Sequence, residues 1–169
     1  MDPVSILILV TVAACLASGI AALARSRRRA GPVAFGVGAV VAAAWLFAVG
    51  SVRVSPTASV AVLRAQVACA LAVLLPLPWT VLLLVLAREG TARILREWRP
   101  YLIVAACASV VFVARSLDGS VLFGVAGRRG DIELVFGPAG RAMLVYLLAT
   151  AVVLFFSLEV TLRAARPRG

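Results

Sequence analysis

Residues 4–29 read VSILILVTVAACLASGIAALARSRRR: an uncharged apolar run from Val4 to Ala24, closed by Arg25, Arg27, Arg28 and Arg29. Such a run is long enough to cross a bilayer, because about 20 residues at about 1.5 Å each span a hydrocarbon core of about 30 Å. The same alternation of apolar run and arginine cluster repeats along the chain, with further runs near 33–52, 60–87, 101–117 and 142–162. Hydrophobic residues make up 63% of the 169, and the mean hydropathy is +1.09. A soluble domain holds roughly 45–50% apolar residues. The expected fold is therefore all-α: a polytopic transmembrane bundle of five helices forming a single integral-membrane domain over residues 1–169.

The first run is not patterned as a cleaved leader. A signal peptide carries its positive charge before the apolar core, whereas here Met1-Asp2-Pro3 precede the core and the arginines follow it. Val12-Ala13-Ala14-Cys15 loosely resembles a lipoprotein cleavage box, but it lacks the basic leader. A retained helix is the expectation.

Composition narrows the chemistry. The chain has no His and no Lys, and its 17 basic residues are all Arg. Imidazole acid–base catalysis, imidazole metal ligation and a phosphoacceptor histidine are thereby excluded. The acids are Asp2, Glu89, Glu97, Asp118, Asp131, Glu133 and Glu159, and none forms a close pair inside an apolar run. Cys15, Cys69 and Cys107 sit singly in hydrophobic segments, where Cys behaves as a small hydrophobe. No catalytic residue, cofactor or metal site is expected. The net charge of +10 is divided among short clusters at the ends of the runs. That pattern fits anionic lipid rather than nucleic acid.

Alternate connections set the expected orientation. Arg25–Arg29, the 88–99 connection and the C-terminal tail together hold 11 Arg, against 6 on the opposite side. The richer side belongs in the cytoplasm, which gives an N-out, C-in protein of a bacterial inner membrane. Within the 88–99 connection, Ile94, Leu95 and Trp98 recur at helical spacing among charges. This pattern predicts a short interfacial helix with Trp98 and Tyr101 at head-group depth. Across the membrane, Val121–Val125 and Ile132–Phe136 are β-prone runs flanking Gly127-Arg128-Arg129-Gly130-Asp131. They predict a short extracytoplasmic β-hairpin near 121–136, lying against the helix ends.

Six residues stand out as candidates for sensing or packing. Arg64 and Gln66 fall near the outer end of the third run. Arg64 is expected to snorkel to the interface, or else to share a polar pocket with Gln66. Pro76 and Pro78 remove backbone donors in mid-run, so the helix should bend and free carbonyls for other partners. Trp79, next along, is placed to shape a cavity or hinge. Glu159 and Arg163 have the i,i+4 spacing of a helix-end ion pair. Small residues at Gly36, Gly38, Ala42–Ala44, Ala105, Ala106 and Ala108 permit close helix approach. Intrachain packing is the expected use, with a homodimer seam as the alternative.

Trp45, Arg64, Pro76-x-Pro78-Trp79 and the charged connection resemble the N-terminal membrane region of bacterial seven-helix sensor histidine kinases. The likeness is strongest to those of the PEP-CTERM/exosortase system, through Phe136-Gly137-Pro138-Ala139-Gly140-Arg141 and Ser157-Leu158-Glu159-Val160-Thr161-Leu162-Arg163. It covers about residues 33–165. The family's further helices, histidine-bearing segment and ATP-binding domain have no counterpart in these residues, so either a truncated member or a stand-alone module is expected. The resemblance implies a non-catalytic sensory module in the lipid bilayer that relays a signal to a cytoplasmic kinase or other signalling protein. The alternatives are a small transporter or channel, or a subunit in the assembly of a membrane complex. A shortage of intramembrane ionisable groups weighs against an ion pathway.

Overall fold

Inside hydrocarbon no water is at hand for backbone N–H and C=O groups, so an isolated apolar run has to satisfy them within itself as a helix. The computed structural model, which describes residues 3–26, 29–86, 96–126 and 133–165, follows that rule. Its elements are α1 (Pro3–Arg25), α2 (Ala30–Arg53), α3 (Ala58–Leu74), α4 (Pro76–Leu86), α5 (Arg99–Leu117), β1 (Leu122–Ala126), β2 (Glu133–Phe136) and α6 (Pro138–Ala165). Among the described residues five spans are long and apolar enough to cross a membrane, α3 and α4 together making one of them. Their outward faces carry large apolar side chains, among them Phe155 at 73% exposure and Val104 and Leu148 at 67%. Contiguous apolar surface of this extent belongs in lipid rather than water. The chain is a multi-pass membrane protein.

Two corrections concern helix limits. The run expected as one helix over 60–87 is divided at Leu75 into α3 and α4. Pro76 has no N–H to offer Ala72, and the N–H of Leu75 takes that carbonyl instead at 3.3 Å. Leu75 itself keeps right-handed α dihedrals (φ −57°, ψ −44°), so the break is a kink and not a loop. The last helix starts at Pro138, four residues before the expected Ala142. Proline suits the first helical turn, where its missing donor has no partner to lose.

The helices are joined through small residues. α1 packs on α2, and α2 packs also on α3 and α4. Gly19 of α1 lies against the backbone of Gly36 in α2, and Gly50 receives Ile8. Gly38 meets Pro78 and Trp79, and the Trp79 ring stands edge-on to Phe35 at 6.0 Å. On the other side α3 packs on α5, and α4 on α6. Thr57 caps α3, its hydroxyl accepting from the Val60 N–H at 3.4 Å.

Strands β1 and β2 pair antiparallel, Leu122 opposite Phe136 and Ala126 opposite Glu133, with an irregularity between Leu122 and Gly124. The expected turn at Gly127–Asp131 lies outside the described residues, as does most of the expected interfacial helix of the 88–99 connection. Val121 and Leu122 are fully buried against the ends of α3 and α6. Phe136 packs against both clusters, one around Val52, Ala61 and Ala65, the other around Cys69, Val73 and Met143. Gly140 makes this close fit available: any Cβ there would collide with the Val121 carbonyl and the Phe136 ring. The connection out of α5 turns on Gly119, whose φ of +82° favours glycine. Beside it, Asp118 accepts the Ser120 N–H at 2.9 Å and lies 3.5 Å from Arg115. Hydrogen bonds from Ser120, followed by the Arg115 charge, hold the Asp118 carboxyl below its usual range.

Candidate functional site

α2 ends at Arg53, leaving its last carbonyls without helical donors. The loop that follows returns as α3, whose second turn brings Arg64 back over that end. Arg64 Nη1 donates to the Ser51 carbonyl at 2.7 Å and to Ser55 Oγ at 3.2 Å. Ser55 Oγ in turn donates to the Ser51 carbonyl at 3.0 Å. Cationic donors at a helix C-terminus are favourable on both counts, hydrogen bonding and dipole. This accounts for Nη1 alone; Nε and Nη2 have no protein acceptor among the described residues. Arg64 also lines an apolar groove of about 370 Å³ whose walls include Ile8 and Leu9 of α1, Phe47 and Gly50 of α2, and Val54 just beyond it.

Gln66 does not join it. Two residues apart on a helix means opposite faces, and the Gln66 amide lies beside Gly119 at the α5 end. Of the two readings for Arg64, the alternative that pairs it with Gln66 in one pocket is not what the geometry gives; Arg64 meets Ser51 and Ser55 instead. A second cavity, of about 310 Å³, lies on the other side of α2 between α3 and α6, lined by Trp45, Arg53, Cys69, Phe136 and Met143 among others. Trp79 lines neither cavity and instead packs on α2.

The kink at Pro76 has chemical consequences of its own. In an unbroken helix the Val73 carbonyl would take the N–H of Leu77, four residues on. Here Ser109 Oγ of α5 donates to it at 3.3 Å. Ser109 Oγ also lies 2.9 Å from the Tyr146 hydroxyl of α6, which lies 3.2 Å from the Ala105 carbonyl; with Ser109 donating to Val73 and one proton on each hydroxyl, Tyr146 donates either to Ser109 or to Ala105. Tyr146 is further held against Phe112, their ring centres 5.4 Å apart. The carbonyl of Pro76 is taken by Thr80 Oγ1 at 2.8 Å, fully buried. Three spans therefore meet at one polar node inside the apolar bundle.

Glu159 is exposed near the end of α6, and Arg163 continues that helix. Their expected pairing falls outside the described side chains. Ser51, Ser55, Ser109 and Tyr146 were not singled out from the sequence. For Ser109 and Tyr146 the available signal was a lone polar residue in an apolar run, which hydrocarbon does not leave unpaired. No family model matches the chain, and neither a curated protein nor a solved structure matches it.

Proposed function

We propose that the chain is the non-catalytic, membrane-embedded input module of a two-component signalling system in a bacterial inner membrane. In this reading the N-terminus is outside and the C-terminus is in the cytoplasm. A stimulus at the β1/β2 end reaches a cytoplasmic histidine kinase or other signalling protein through α6.

The observation that carries the reading is the Ser109–Tyr146–Val73 node. Relay requires an element with two arrangements that a stimulus favours unequally. The Val73 carbonyl supplies a chemical basis for two: the Ser109 hydroxyl when the span is kinked, or the Leu77 N–H when it straightens. Exchange of one acceptor between two donors keeps the buried group satisfied in both arrangements, so the difference between them is small. Because Ser109 is bonded to Tyr146, the exchange is felt in α6, the helix that leads to the C-terminus. The β strands bear on the same helix through Val121 and Gly140.

The test is a chimera carrying a histidine-kinase catalytic region after Gly169, read by autophosphorylation in membranes. Ser109→Ala and Tyr146→Phe are expected to shift the output several-fold at unchanged membrane level. Output indistinguishable from that of the unmodified chimera in both variants, or solute flux by the purified protein in liposomes, overturns the reading.

A further inference from the structure

We propose that the α1–α2 groove beneath Arg64 is a binding site for an anionic phospholipid of the surrounding bilayer. The phosphate sits on the guanidinium and one acyl chain lies along Ile8, Leu9 and Phe47. The proposal goes beyond signalling and holds whether or not the chain relays a stimulus.

Three observations converge on it. Arg64 is half-buried and commits only Nη1 to the protein, through Ser51 and Ser55. No ion pair holds Arg64 among the described residues. The remaining N–H groups form one edge of a planar fork, which matches two oxygens of a phosphate. The groove it lines is apolar, about 370 Å³, and bounded by two spans long and apolar enough to cross a membrane. A charged head at the interface and a hydrocarbon body below it reproduce the amphiphilic profile of a phospholipid. A water-soluble anion would leave the apolar walls unfilled, a lipid without a phosphate would leave the guanidinium without an acceptor, and the ammonium of a zwitterionic phospholipid would set a second positive charge beside Arg64. Gly50 and Ile8 both line the groove, and Gly50 lets Ile8 approach α2 closely there.

Native mass spectrometry of the full chain, released from membranes containing phosphatidylglycerol and phosphatidylethanolamine, tests the assignment. The unmodified protein is expected to retain one phosphatidylglycerol in preference to phosphatidylethanolamine. Arg64→Met should weaken retention about tenfold or more, the loss expected when charge-assisted hydrogen bonds are removed. Arg53→Met, altering an arginine that lines the other cavity, should leave retention unchanged. Equal loss in the two variants, or equal retention of both lipids by the unmodified protein, overturns the proposal. Should Arg64→Met fail to insert, a photoactivatable phosphatidylglycerol on the unmodified protein answers the same question. Adducts within residues 5–9 and 47–54 support the site, and adducts confined to other helices refute it. Free inorganic phosphate displacing the lipid would move the assignment from a bilayer lipid to a soluble phosphate.

Discussion

A hydroxyl in hydrocarbon either finds an acceptor or leaves a polar group unpaired, and Ser109 finds one in another span. Because the Val73 carbonyl lacks its usual helical donor, removing the Ser109 hydroxyl strands Val73 O, while the Tyr146 hydroxyl keeps the Ala105 carbonyl. Interhelical hydrogen bonds in membranes average about 0.6 kcal/mol, with a maximum near 1.7. Ser109→Ala is therefore expected to destabilise the protein by about 0.6–1.7 kcal/mol in a detergent unfolding titration. A loss below about 0.3 kcal/mol would mean that the carbonyl had recovered a donor within its own helix. The neighbourhood of Arg64 illustrates what single residues reveal in a sequence. Its position near a helix end was legible, because an arginine at the edge of an apolar run has few places to go. Its partners were not, since Ser51 lies at the end of another helix and Ser55 in the turn at 54–57 that brings the two helices together. The alternative that joined Gln66 to Arg64 fails for an equally simple reason: closeness in sequence by two positions is separation on a helix.

At the scale of elements, the proline pair decides the shape of the third span. Pro76 and Pro78 were readable as a bend, because a residue without an N–H breaks the hydrogen-bond ladder wherever it falls. What took the freed carbonyl was not readable, as Ser109 lies 36 residues further along. Replacing both prolines by alanine restores the donors at 76 and 78 and lets α3 run on into α4. Spin labels at Leu63 and Leu86, both exposed, are expected to move apart in that variant. The distance should approach the value of about 35 Å for 23 residues of straight helix. An unchanged distance would show that packing against α2 and α5, rather than the missing donors, holds the kink. The five spans were legible for a different reason: helix is the economical solution for an isolated apolar run in lipid. Their limits shifted where Pro138 could start a helix earlier than hydropathy alone indicates.

At the scale of the molecule, the medium can be read from its three thiols. Cys107 is exposed on α5, Cys69 is buried and Cys15 is intermediate. If lipid covers the outward faces, a charged maleimide added to intact membranes should leave Cys107 unmodified, and a hydrophobic maleimide should label it. Cys69 should resist both until the protein is unfolded. Rapid labelling of Cys107 by the charged reagent would place water where the fold requires hydrocarbon. The same medium explains why hydropathy revealed so much of the architecture and so little of the sites. Lipid selects for apolarity over whole faces, while a site depends on a few polar atoms brought together from distant segments.

The pairing of α1 with α2 through Gly19, Gly36 and Gly50 also bears on how freely this sequence can change. Only about a tenth of the α1 span is covered by protein. Its outward side can exchange one aliphatic residue for another with little consequence, since the surrounding solvent is as oily as the replacement. The three glycines have no such latitude, because a single added methyl group at the crossing meets backbone or a packed neighbour. Within this helix pair, substitution is thereby freest on the outward side of α1 and most restricted along a narrow strip of hydrogen-only side chains.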